Sequence, residues 1–231
     1  MSKHLRIWLF AFLGTLLAST TLPAEGIITM TTSKAVGEEI GLDIEANGKF
    51  TIEGAQDTGE TDDYGRKSYR LTSQTITIRG DVTELDCLWN RLTSLDVSKN
   101  TALISLVCFS NQLTSLDVSK NTALTVLGCN GNKLTSLDVS KNTALTELDC
   151  NGNKLTNLNL SGCARLEMLF CASNYIKGKA MTKLVNSLPN RRGMSRGTLF
   201  IVNPSSKKRD KNRYSAADVT TARKKNWEVE Q

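Results

Sequence analysis

The sequence holds a single histidine, His4, and only three prolines among 231 residues. Everything after the first few residues is therefore without imidazole, which excludes Ser-His-Asp and Cys-His catalysis and histidine-ligated zinc from the body of the chain. No Cys-x-x-Cys pair is present, so a cysteine metal site is not expected either. Long apolar runs are equally scarce. The one at Ile7–Leu17 is shorter than the about 20 residues that span a bilayer, and no second run follows it, so no transmembrane segment is expected beyond it.

That first run reads as an export signal. Lys3, His4 and Arg6 give a basic start, the apolar stretch follows, and Leu22-Pro23-Ala24 offers a small residue before a cut. Cleavage is expected near Ala24, with residues 1–24 as signal peptide and the remainder in the periplasm, on the cell surface or outside the cell. No cysteine sits near the cut to carry a lipid anchor. Charge is unevenly placed in what remains. Glu25–Ile176 carries 13 Lys and Arg against 19 Asp and Glu, whereas Lys177–Gln231 carries 14 against 4. The basic end fits a solvated cap or attraction to an acidic partner. Nucleic acid is not the expected partner, because Ser205–Arg213 has no interleaved aromatic residues.

What the chain has in abundance is repetition. Leu92-Thr-Ser-Leu-Asp-Val-Ser-Lys-Asn-Thr-Ala-Leu103 recurs letter for letter at Leu113–Leu124 and Leu134–Leu145, with a degraded copy at Leu155–Leu166. The step is 21 residues each time. Between these copies, segments beginning at Val82, Leu103, Leu124, Leu145 and Leu166 share the spacing of Leu-x-x-Leu-x-Cys-x-x-Asn. Leu85 and Cys87 are two apart and point to one face of a strand. Stacking then gives a leucine ladder (Leu85, Leu106, Leu127, Leu148, Leu169), a cysteine ladder (Cys87, Cys108, Cys129, Cys150, Cys171) and an asparagine ladder (Asn90, Asn111, Asn132, Asn153, Asn174). Asparagine suits the turn off the strand because its amide both donates to and accepts from backbone groups.

The identical copies fit Leu-x-x-Leu-x-Val-x-x-Asn, so the repeat is nested, with Cys163 falling where Asn100, Asn121 and Asn142 sit. A coil divided this way leaves little room for a helix. The expected fold is mainly β: a helix-poor solenoid of about four to five 21-residue coils with parallel strands. Short strands on both sides are expected, against the alternative of one sheet and an irregular back. The cysteines at this strict step read as small buried thiols rather than disulfides.

A solenoid has two raw core edges and needs caps. Residues 25–80 read as a β-rich N-terminal cap, with strands over Ile27–Thr32, Glu39–Glu45, Phe50–Ala55, Lys67–Thr72 and Thr75–Arg79. Asn47-Gly48 is expected to close a hairpin. Gln56–Arg66 reads as an exposed acidic loop, whose Asp57, Glu60, Asp62 and Asp63 lack calcium-loop spacing. Residues 81–176 hold the repeats. Residues 177–231 read as a basic α/β C-terminal cap, with a helix before Pro189, a strand at Thr198–Val202 and a helix starting at Ser215.

The block Val82–Ile176 resembles the 21-residue leucine-rich repeats of secreted and surface proteins from Bacteroides-like bacteria, and the flanks Ile28–Arg79 and Ala222–Val229 are similar to theirs. The resemblance implies a solenoid, export and a binding or adhesion role, and it transfers no catalytic residues and no cofactor. Ligands of such proteins meet the residues that alternate with the inward ones. Here the expected binding residues are Trp89, Val107, Phe109, Val126, Asn130, Glu147, Asp149, Asn151, Met168 and Phe170, with Leu88 in the same apolar stripe. Trp89 and Phe170, near the ends, fit equally well as residues packing beneath the caps. The opposite side, with Asp96, Asp117, Asp138 and Asn159 in one column beside Lys99, Lys120 and Lys141 in another, is monotonous and reads as solvated. Glu147 with Asp149 is a carboxylate pair without a cleft, so a hydrolase is not expected. The reading is a secreted or surface module that binds a protein or glycan without catalysis. The alternative is a structural envelope component that self-associates weakly.

Overall fold

A computed structural model describes residues 26–202 and 210–230. The expected signal peptide and the first part of the Ser205–Arg213 loop lie outside them. Six strands come before the repeats: β1 (Ile27–Thr32), β2 (Glu39–Ala46), β3 (Thr51–Glu53), β4 (Ala55–Thr61), β5 (Lys67–Leu71) and β6 (Thr75–Arg79). The repeats supply β7 (Val82–Asp86), β8 (Leu92–Asp96), β9 (Ser105–Val107), β10 (Val126–Gly128), β11 (Glu147–Asp149) and β12 (Met168–Phe170). The end is α1 (Lys179–Ser187), β13 (Gly197–Phe200), α2 (Ala216–Lys224) and β14 (Trp227–Glu230). Both helices are nine residues long, and neither is long and apolar enough to cross a membrane.

One ten-stranded sheet runs through both ends and the repeats, in the order β14-β13-β12-β11-β10-β9-β7-β2-β5-β4. From β7 to β14 the neighbours are parallel, and Leu85, Leu106, Leu127, Leu148 and Leu169 stand in register one beside the next. The column continues through Leu199 and Val229. Each of these leucines is buried, as are the five cysteines two positions on. Period-2 alternation is what sends both columns inward.

The turn off each strand is held by an asparagine amide. Asn132 Nδ2 donates to the carbonyls of Cys108 (3.0 Å) and Cys129 (3.1 Å), and its Oδ1 accepts from Leu113 N–H (3.0 Å). Asn111, Asn153 and Asn174 repeat the pattern on their own coils. The ladder has a further rung that its period does not reveal. Asn212 donates to Cys171 O (2.8 Å) and Ile201 O (2.9 Å), and accepts from Ile176 N–H (2.8 Å). At the other end Gly41 of β2 closes the ladder, exchanging both hydrogen bonds with the Asn90 amide.

The back of the coils departs from the expected two-sided arrangement. Only the first copy forms a strand there, β8, and it pairs antiparallel with β1 in a second sheet of order β3-β6-β1-β8. The later copies run without strands. Gln112, Lys133 and Lys154 N–H each donate to a carbonyl one coil earlier, while Asp96, Asp117 and Asp138 turn the chain by accepting from the N–H two residues on. β8 carries the same aspartate turn, so what separates it from the later copies is the partner strand β1.

Two details of the first cap also differ. Asn47-Gly48 closes no hairpin, because β2 pairs with β5 and β7 while β3 pairs with β6. The turn therefore carries the chain from one sheet to the other. The stretch expected as a loop over Gln56–Arg66 is mostly β4, hairpinned to β5. Its turn is fixed by Asp62, which accepts from Tyr64 and Arg66 N–H and pairs with the Arg66 guanidinium. In the second cap β14 is an unexpected strand, and the capping box of Ser215 and Asp218 starts α2.

All six cysteines are free and buried. Burial pushes every thiol up, to about 12 for Cys129 and Cys171 and about 11 for Cys163. A thiol reagent at pH 8 should leave the native protein unlabelled over the time that titrates all six in denaturant. Rapid native labelling would contradict the ladder. Replacing Asn212 by alanine strands the Ile201 carbonyl and the Ile176 N–H and removes one of the two amide donors to Cys171 O, so a loss of about 2–4 kcal/mol is expected in urea unfolding.

Candidate functional site

The outward face of the parallel sheet is built by the residues that alternate with the buried leucines and cysteines. In register across it stand Ser105, Val126, Glu147 and Met168 in one column, and Val107, Gly128, Asp149 and Phe170 in the next. Phe109, Asn130 and Asn151 follow immediately after the strands. The structure thus brings Val107, Phe109, Val126, Asn130, Glu147, Asp149, Asn151, Met168 and Phe170 onto one surface, all at least partly exposed. Leu88 does not join them: it is buried, and its carbonyl accepts from Arg66 Nη1 (2.6 Å).

The ends of this surface meet the flanking strands through aromatic contacts. Trp89 packs against Tyr64 in a tilted pair, 4.4 Å between ring centroids, and meets Phe109 edge-on at 6.2 Å. Phe170 lies 6.2 Å from Phe200 of β13. Trp89 nevertheless stays 44% exposed, and its φ is 55°. The equivalent left-handed position is Ser110, Gly131, Gly152 and Ser173 in the other coils. A left-handed conformation costs a bulky residue about 1–2 kcal/mol, so an exposed indole is held here against backbone preference.

Beside this aromatic corner the face is acidic. The antiparallel pairing of β2 with β7 sets Asp43 opposite Asp86 and Glu45 opposite Glu84. These four carboxylates and the neighbouring Ser105 and Val107 line a shallow groove of about 200 Å³. Like charges directly opposite one another destabilise a sheet, so these four acids stand against the local rule for strand pairing. Arg66 approaches only Asp86, at 3.4 Å. Farther along, burial raises the Asp149 carboxyl above its ordinary range and Glu147 adds to the rise. Asp43 and Glu45 were missed in the sequence because they come from β2, whose place beside the first repeat is set by pairing rather than by period.

Gly128 leaves a notch in the middle of the face. Its φ is not left-handed, and a Cβ there would meet Phe109 Cδ1 at 3.8 Å, an ordinary contact. The backbone therefore does not require glycine. Next to the notch Asn130 Oδ1 is buried without a hydrogen-bond partner among the described residues. Asn151, one coil on, uses its Oδ1 to accept from Ala172 N–H (2.6 Å). Among the described residues no group of three or more His, Cys, Asp or Glu is placed to hold a metal ion.

No protein-family model and no curated protein matches the chain. Solved structures do. The functional domain of InlJ from Listeria monocytogenes, described as including a cysteine ladder, is 37% identical with a TM-score of 0.44. The match covers 52% of this chain and 25% of that one. A leucine-rich-repeat protein of Leptospira interrogans is 24% identical with a TM-score of 0.50, over 64% of this chain and 36% of that one. An internalin of Listeria monocytogenes is 16% identical with a TM-score of 0.40, over 64% and 46%. The chain thus spans less than half the length of each. The likeness to the Leptospira protein is one of fold, and the fold of this chain is that of the leucine-rich-repeat proteins.

Proposed function

We propose that this protein is an exported, non-catalytic module that binds another protein through the outward face of its parallel sheet. The observation that carries the reading is where the coils differ. Three copies of a 12-residue segment on the back are identical, and the inward ladders are uniform. The outward triplets Ser105-Val107-Phe109, Val126-Gly128-Asn130 and Glu147-Asp149-Asn151 share almost nothing. Packing holds the inward ladders in place and leaves the outward triplets free to suit a partner.

The chemistry of the face favours a partner that presents basic and apolar groups together. Four carboxylates at Asp43, Glu45, Glu84 and Asp86 stand beside Trp89, Phe109 and Val107. Tryptophan and tyrosine concentrate binding energy at protein interfaces, and opposed charges steer association. A protein meets both demands better than a neutral glycan. Binding should weaken as salt rises.

The test is a screen of the purified protein against immobilised extracellular protein domains and glycans, with Trp89→Gly and Gly128→Leu beside the wild type. Trp89→Gly relieves the left-handed backbone, so its thermal midpoint should stay within a few degrees of wild type. Affinity for a true protein partner should fall about tenfold or more in each variant. A partner held equally well by both variants would refute the face. Absence of any partner, with association of the protein with itself, would favour the structural reading.

A further inference from the structure

A second surface lies on the opposite side of the last coil. A groove of about 660 Å³ runs between that coil and α1. Leu158 and Ala180, the amides of Asn157, Asn159 and Asn186, and Lys179 and Lys183 line it. Neither lysine has an ion-pair partner among the described residues.

The groove coincides with a change in the repeat. The columns Ser94, Ser115, Ser136 and Asp96, Asp117, Asp138 end in Asn157 and Asn159. The change at 159 is not needed for folding. Asn159 Oδ1 accepts from Ser161 N–H (3.2 Å) just as Asp117 Oδ1 accepts from Ser119 N–H (2.9 Å). An aspartate at 159 would make the same turn and would also face two lysines. The Asp→Asn difference therefore costs an electrostatic gain and leaves both cations open. By contrast Gly162 in the same copy is structural, because a Cβ there would lie 2.2 Å from Ser140 O.

We propose that this groove binds a glycan bearing carboxylate or sulfate groups. The lysines take the anionic groups, and the three amides, each both donor and acceptor, take hydroxyls. Ala180, with the edge of the nearly buried Leu158, meets the apolar face of a sugar ring. The C-terminal segment carries 14 Lys and Arg against 4 Asp and Glu, a net charge that attracts a polyanion.

The experiment is calorimetric titration of the full chain at low ionic strength with four probes: oligogalacturonate, a heparin oligosaccharide, neutral dextran and oligoglutamate. The expected result is binding of at least one of the first two, none of dextran, and about tenfold weaker binding of oligoglutamate. Lys179→Gln with Lys183→Gln should weaken the glycan about tenfold or more. Asn159→Asp should weaken it several-fold with an unchanged melting temperature. Arg223→Gln with Lys224→Gln, on α2 outside the groove, should change it less than about twofold, and Trp89→Gly on the sheet face should not change it. Equal losses from the two cation pairs, full binding by Asn159→Asp, equal binding of oligoglutamate, or no binding of either anionic glycan would overturn the proposal.

Discussion

The interaction on which the rest of the structure depends is the asparagine amide that joins two successive coils. Each Nδ2 donates to a cysteine carbonyl of its own coil and to the equivalent carbonyl one coil earlier, while Oδ1 receives an N–H. A turn that enters the interior of a solenoid would otherwise bury several unpaired backbone groups. The amide fixes where the chain leaves the strand, and this in turn fixes the 21-residue step. The same turn places the residue before each asparagine in the left-handed region. Glycine or serine fills that position in four coils, and Trp89 in the first.

The caps work by completing the same ladder rather than by merely covering it. Gly41 supplies the partner groups at one end, and Asn212 repeats the amide at the other. Each cap also lends a buried arginine to the edge coil. Arg66 donates to Leu88 O and Arg191 donates to Leu166 O (2.9 Å) while lying over Trp227. Charge-assisted bonds of this kind are stronger than neutral ones. Since the inward leucines and cysteines are buried and the amides at the strand turns use both their groups, variation is concentrated on the outward sheet face and in the last coil beside α1.

The ladders could be read from spacing alone, because a strict period allows only one set of residues to stack. The outward face followed from alternation, and its nine residues from Val107 to Phe170 do share a surface. What spacing does not encode is pairing across the caps. Asn212 stands 38 residues beyond Asn174 and has no periodic signature. Asp43 and Glu45 reach the face only because β2 pairs with β7. The back of the coils reads as strand by composition, but only β8 has a strand, β1, to pair with. The strain at Trp89 and the freedom at Gly128 are properties of backbone angle and contact, which a sequence does not carry.

The account divides each coil into an inward part that specifies the fold and an outward part that is free for recognition. Asn132 and Asn130 stand two residues apart on either side of that division. Urea unfolding of Asn132→Ala and Asn130→Ala tests it most directly. The expected result is a loss of about 2–4 kcal/mol for Asn132→Ala and a change within about 0.5 kcal/mol for Asn130→Ala. Similar losses at the two positions, or the larger loss at Asn130, would contradict it.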